Sequence, residues 1–262
     1  MTGPAAPILE VRNLNKRYGA QTALHDVSFD ARAGEFIVVL GRSGAGKSTL
    51  MRCVNRLVEP SGGDIRFEGA PAPRGRRDLR HMRRRIGMIF QQFNLVKRLS
   101  VLSNVLTGTL GYKALLPSLA FRFGREEKLA ALDCLERVNM AHKAFQRADT
   151  LSGGEQQRVA IARVLNQKPV LLLADEPVAS LDPNIARVVL RYLRRINEEM
   201  GITVLLNIHQ VNYAREFGER VIGLAGGGIV FDGHVRDLSQ DVLHRIYGAH
   251  VDDEEEGEHE RA

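Results

Sequence analysis

The sequence predicts an α/β protein, a parallel sheet with helices on its faces, preceded by short antiparallel strands and interrupted by a helical stretch. Three observations predict it. Residues 8–30 (ILEVRNLNKRYGAQTALHDVSFD) alternate apolar and polar positions with turn residues between them. Three apolar runs, EFIVVL, VLLLAD and TVLLNI, each stand next to a segment with apolar residues at three and four spacing. Strands that alternate with helices build a parallel sheet covered on both sides. Between the first and second runs, residues 95–150 read as mostly helical.

In chain order, EFIVVL is followed by a glycine-rich turn and the helical STLMRCVNRLV. SVLSNVLTGTL and REEKLAALDCLERVNM supply the helical stretch. EQQRVAIARVLNQ is the helix before VLLLAD, and ARVVLRYLRRINEEM is the helix before TVLLNI. The end returns to alternation in RVIGLAGGGIVFDGHV, with a turn expected at Gly226, Gly227 and Gly228.

With 262 residues, 44% hydrophobic and 26% charged, the chain can bury one sizeable core or two modest ones, and a compact unit with an appended lobe is expected. No run approaches the roughly eighteen apolar residues of a membrane-spanning helix. The start, MTGPAAPILEVRN, lacks the pattern of a secretion signal, so a cytoplasmic chain is expected. Cys53 and Cys134 stand in helix-like segments without the spacing of a metal or redox pair, which points to two reduced thiols.

The net charge of +6 is uneven. Residues 74–85 (RGRRDLRHMRRR) hold much of the positive charge, and residues 251–262 (VDDEEEGEHERA) form an acidic end that reads as a disordered tail over 249–262. A solvated loop and helix face is expected for the arginine run, with contact to anionic lipid or a membrane partner left open. No aromatic residues interleave with these arginines to stack bases, so no nucleic acid partner is expected.

The sharpest motif is Gly41, Arg42, Ser43, Gly44, Ala45, Gly46, Lys47, Ser48, Thr49, which fits the P-loop pattern and has a strand before it and a helix after it. Glycines let successive N–H groups turn toward phosphate oxygens at a helix N-terminus, where the partial positive charge favours an anion. Lys47 would reach the β and γ phosphates and Ser48 would give its hydroxyl to Mg²⁺. Asp175 and Glu176 close the buried run LLLAD at the strand edge where open α/β sheets bind ligands. Asp175 suits the magnesium shell, and Glu176 suits orientation or deprotonation of an attacking water. Taken alone, such an acidic pair is also compatible with a cap or a surface turn.

Leu151-Ser-Gly-Gly-Glu-Gln-Gln157 resembles the signature sequence of ABC ATPases, and the resemblance runs from Tyr18 to about Gly248. It implies a P-loop NTPase (RecA-like) core with an N-terminal antiparallel β subdomain and an inserted α-helical subdomain at about 95–155, within an ATPase domain of residues 1–248. It also implies that Ser152, Gly153 and Gly154 bind the γ-phosphate held by the opposite subunit; without the P-loop, Ser-Gly-Gly-Glu reads as no more than an N-cap with a nearby acid. By the same resemblance Tyr18 stacks on adenine, Gln91 senses magnesium and water, Asp182 in SLDP communicates across the dimer, and His209 contacts the γ-phosphate and steadies Glu176. Each of these, taken singly, has a packing or turn reading.

One copy of each motif implies a two-fold homodimer that sandwiches two ATP molecules. The resemblance further implies integral-membrane permease subunits as partners, a periplasmic or lipid-anchored solute-binding protein indirectly, and a peripheral place on the cytoplasmic face of the membrane. FNLVKRLSVLSNVLTG, ADEPVASLDP and NIHQVNYAREFGERVIGLAGGGIVFDG are most similar to phosphonate importer ATPases, although Asn212 stands where that subfamily has an acidic residue. No residue here would touch the solute, so the substrate class rests on resemblance. The rival readings are an importer ATPase for phosphite, phosphate, methionine or a polar amino acid, and a soluble ABC ATPase accessory to phosphonate metabolism.

Overall fold

Strand β3 (Phe36–Leu40) is five apolar residues, all buried, and the chain leaves it directly into a glycine loop and helix α1 (Lys47–Val54). The computed structural model describes residues 6–113 and 122–248, so the expected tail at 249–262 lies outside the described residues. The chain divides into two units, Met1–Ala72 with Leu205–Ala262, and Pro73–Val204.

In the first unit β1 (Leu9–Tyr18) and β2 (Gln21–Ala31) form an antiparallel hairpin, joined by β4 (Gly62–Phe67) and β5 (Ala70–Pro71) in the order β2-β1-β4-β5. Alternation puts Leu9, Val11, Leu14, Leu24, Val27 and Phe29 in the core. Register shifts follow Val11 and Leu14, where Asn13 has φ 46° and its amide donates to Asp26, itself at φ 49°. These bulges let two strands of ten and eleven residues stay paired while twisting.

The same unit carries the strands β9 (Arg220–Ala225) and β10 (Gly228–His234), an antiparallel pair, with β9 parallel to β3. The other neighbour of β3 is β8 (Thr203–Asn207), whose last three residues belong here. The β9–β10 turn is tighter than the sequence suggests: Gly226 and Gly227 take φ 56° and 89°, and Gly228 already begins β10. Two consecutive positive φ angles are what a two-residue hairpin loop needs. Helices α7 (Val211–Phe217) and α8 (Gln240–Tyr247) complete this unit.

In the second unit β6 (Ile86–Ile89) and β7 (Leu171–Asp175) are parallel and fully buried, and β7 has the start of β8 on its other side. Helix α2 (Arg76–Arg85) runs straight into β6. Among its described residues, the stretch 95–150 holds α3 (Val101–Leu106), a 3-10 segment (Thr107–Tyr112) and α4 (Arg125–Arg137); α5 (Gly153–Asn166) follows it, and the three α-helices pack on one another. Helix α6 (Pro183–Met200) buries one stripe, Ala186, Val189, Leu190, Leu193 and Ile196, at helical spacing.

Among the described residues no helix is long and apolar enough to cross a membrane. Both cysteines are free, and burial pushes each thiol up to about 11, so neither is a ready nucleophile.

Candidate functional site

The glycine loop forms because its backbone has no alternative to glycine at two points. A side chain on Gly41 would bring Cβ within 2.4 Å of the Leu224 carbonyl oxygen. Gly46, with φ 102°, is the N-cap of α1, and a Cβ there would lie 2.5 Å from the Ala23 carbonyl oxygen. No side chain caps α1, in contrast to α3, α5, α6 and α8, whose caps are Ser100, Ser152, Asp182 and Ser239. The first turn of α1 thus has no side-chain acceptor from its N-cap, and the positive end of the helix dipole lies at the loop.

Lys47 is only 4% exposed, and its ammonium donates to the carbonyl oxygens of Gly41 and Arg42 at 2.5 and 3.0 Å. Arg42, Ser43 and Gly44 form the exposed crest of the loop, Ala45 is buried, and Ser48 and Thr49 are half-buried. Asn207, at the end of β8, is buried and directs its amide at the Ser48 hydroxyl over 3.5 Å. In the sequence Asn207 stands out only as a polar residue that ends an apolar strand. Two residues on, His209 is half-buried, and its carbonyl oxygen accepts the Tyr247 hydroxyl at 2.7 Å, which ties α8 to this loop. Tyr18 ends β1, is 47% exposed, and has the Lys16 ammonium 4.7 Å from its ring centre.

In the second unit β7 delivers Asp175, 4% exposed, and then Glu176, half-buried with φ 51°. A left-handed backbone at a non-glycine residue costs on the order of 1 kcal/mol, and such strain collects at functional positions. The Glu176 carbonyl accepts the Ala179 N–H at 3.3 Å, which begins the turn toward Asp182. Asp182 caps α6 by accepting the Ile185 N–H at 3.1 Å, with Pro183 at the first helical position.

Ser152 caps α5 in a reciprocal box: its hydroxyl accepts the Glu155 N–H at 3.4 Å, and the Glu155 carboxylate accepts the Ser152 N–H at 3.0 Å. Lys143 donates to the same carboxylate and, with burial opposing, holds the Glu155 carboxyl below its usual range.

Three separated motifs meet here. An ideal Cβ on Gly153 would lie 3.4 Å from Leu181 and 3.5 Å from Phe93, and one on Gly154 would lie 2.3 Å from Ile185. Gln91 itself is exposed at the exit of β6, and the segment after it is held by Arg163, which donates to the carbonyl oxygens of Phe93 and Asn94. Burial lowers the pKa of Arg163, and the two carbonyls compensate its charge only in part.

A family model described as ABC transporter matches residues 24–179, more than half of the chain. The chain belongs to the ABC transporter family. The match contains the glycine loop, Gln91, the Ser152 segment, Asp175 and Glu176; Tyr18, Asp182 and His209 lie outside it. A phosphonates import ATP-binding protein PhnC of Lactobacillus johnsonii is 52% identical over 242 residues, covering 92% of this chain and 95% of the relative. PhnC 2 of Oceanobacillus iheyensis is 49% identical over 243 residues, covering 92% and 96%. These relatives agree with the resemblance read from the segments around Phe93, Asp175 and Asn207. Among solved ABC structures, cbiO1 of Clostridium perfringens, part of the transporter complex cbiONQ, superposes with a TM-score of 0.80 at 29% identity, covering 91% of this chain and 93% of that one. The ATP-binding cassette MJ0796, a dimer bound to ADP and Pi, gives 0.76 at 34% identity, covering 88% and 100%.

Proposed function

We propose that this protein is the ATP-hydrolysing subunit of an ABC importer that takes up phosphonates, and that it works as a homodimer against permease subunits at the cytoplasmic face of the membrane. The observation that carries the ATPase reading is the uncapped N-terminus of α1 behind a glycine loop that holds Lys47 inside it. The similarity to relatives described as phosphonate importers supports the solute class.

In this reading the N–H groups of residues 41–49 and the Lys47 ammonium cradle the ATP phosphates, and Tyr18 stacks on the adenine. Glu176 orients the attacking water and takes its proton as the new bond to the γ-phosphorus forms and the bond to the bridging oxygen breaks. His209 steadies Glu176 and the γ-phosphate.

Mg²⁺ would be held by the Ser48 hydroxyl, Gln91 and Asp175, and would supply positive charge against the phosphates. The donor set fits: all three offer oxygen, Asp175 is a buried carboxylate, and among the described residues no His, Cys, Asp and Glu cluster forms a dedicated metal cage. An ion that keeps waters and phosphate oxygens as ligands needs no such cage.

Ser152, Gly153, Gly154 and Asp182 of one copy would complete the nucleotide site of the other, so that ATP closes the dimer and hydrolysis reopens it. The contact of Leu181 and Phe93 with Gly153 supports mechanical communication from this segment to the one after Gln91, where the permease would dock.

The test is ATPase activity of the subunit reconstituted in liposomes with its permease and solute-binding protein. Stimulation by methylphosphonate, and not by methionine or phosphate, is the expected result. Stimulation by another solute would keep the ATPase and discard phosphonate, while activity indifferent to every permease would reject the transport role.

A further inference from the structure

The function proposed above leaves the arginine run unused. Helix α2 carries six arginines and one acid, Asp78, in ten residues. Arg76, Arg80, Arg83 and Arg84 are spaced by three and four, which gathers them on one helix face, and they form one wall of a cleft of about 430 Å³. Thr107, Gly108, Gly111 and Tyr112 of the 3-10 segment face them. Among the described residues that line the cleft there is no carboxylate.

The cleft is built and not merely a loose charged surface. Arg80 donates from Nε to the Gly111 carbonyl at 2.9 Å and from one terminal nitrogen to those of Leu110 and Lys113 at 3.2 and 3.0 Å. Arg84 donates from Nε to the Gly111 carbonyl at 2.7 Å and lies 5.0 Å from the Tyr112 ring centre. Tyr112 in turn donates to the carbonyls of Arg84 and Gln167 at 3.1 and 3.0 Å. The Gln167 amide closes the end of α2 by donating to the carbonyls of Arg83, Arg84 and Ile86.

These carbonyls fix the Arg80 and Arg84 guanidinium groups but cannot neutralise them. The Arg76 side chain has no hydrogen bond or ion pair among the described residues, Arg80 keeps one terminal nitrogen unspent, and Arg84 keeps both. Guanidinium groups without a carboxylate match the charge of a tetrahedral oxyanion; Arg84, held through Nε, offers it two terminal nitrogens, and Arg80 offers one.

We propose that this cleft is a second phosphorus-oxyanion site, made of residues none of which belongs to the glycine loop, that takes phosphate, an alkylphosphonate or the phosphate of a lipid headgroup. An anion here removes repulsion between the arginines and stiffens α2, which leads without a break into β6 and so to Gln91.

The test uses the full chain carrying Lys47→Ala, so that the glycine loop does not contribute. Inorganic phosphate and methylphosphonate are titrated by calorimetry, and flotation with phosphatidylglycerol vesicles is compared with phosphatidylcholine vesicles. Arg76→Gln is added as the probe, since the Arg76 side chain makes no hydrogen bond or ion pair among the described residues, and its melting temperature is checked. Loss of one charge-assisted contact predicts affinity about ten-fold weaker. Binding of a free anion that weakens in this way supports the site with a soluble ligand; binding only to phosphatidylglycerol, weakened likewise, supports it with a lipid headgroup. No binding to either, or binding that Arg76→Gln and Arg80→Gln both leave unchanged, overturns the proposal.

Discussion

Ile185 packs against the bare Cα of Gly154 so closely that an ideal Cβ there would come within 2.3 Å of its Cγ2 methyl. Ile185 is β-branched and its N–H is held by Asp182, so it has little freedom to move aside. Gly154→Ala is expected to cost about 1–3 kcal/mol of stability and to weaken ATP-driven dimerisation. Adding Ile185→Ala should restore much of the loss, read as the urea midpoint of the double variant against each single one.

Glu155 gives the Ser152 cap a pH dependence. Its folded pKa is depressed, chiefly by the Lys143 hydrogen bond, so its stabilisation is fully present above the ordinary carboxyl value and is lost as pH falls below it through the lowered one. Glu155→Gln should cost about 1 kcal/mol at pH 7 and flatten the drop in unfolding midpoint below about pH 4.3. An unchanged acid slope would remove Glu155 from this account.

For Lys47→Ala we expect nucleotide affinity to fall at least ten-fold or so, since a buried charge-assisted contact to phosphate is removed. Equilibrium binding of a fluorescent ATP analogue measures it, and wild-type affinity would contradict the cradle.

Glu176→Gln should keep ATP binding while reducing turnover by about a hundred-fold or more, and ATP should then trap the dimer. Because Glu176 stands at φ 51°, Glu176→Gly should lose turnover as well yet melt no lower than wild type. Calorimetry on the two variants separates the backbone effect from the chemical one.

Gln157 is fully buried on α5, and neither atom of its amide has a hydrogen-bond partner among the described residues. An unsatisfied buried amide costs about 1–3 kcal/mol, so Gln157→Met should leave stability unchanged or raise it. A melting temperature lowered by several degrees would show that the amide has a partner in the working protein.

The strands β1, β2, β3, β7, β8, β9 and β10 and the helices α4, α5 and α6 were legible because each shows its period over enough residues. Strands β4 and β6 were not: GGDIRF turns only Ile65 and Phe67 inward, and IGMI is four residues wedged after an arginine helix. Helices α7 and α8, of seven and eight residues, are equally too short for periodicity to stand out.

The glycine loop, the acidic strand end and the Ser152 cap could be read along the chain, because each is a contiguous motif whose residue types and spacing are visible without its neighbours in space. Folding alone brings Phe93, Leu181 and Ile185 around Gly153 and Gly154, aims Asn207 at Ser48, and sets the arginines of α2 along a cleft against Tyr112. Those contacts join residues far apart in the chain, and they are set by which buried surfaces pack together, something no local pattern of residues records.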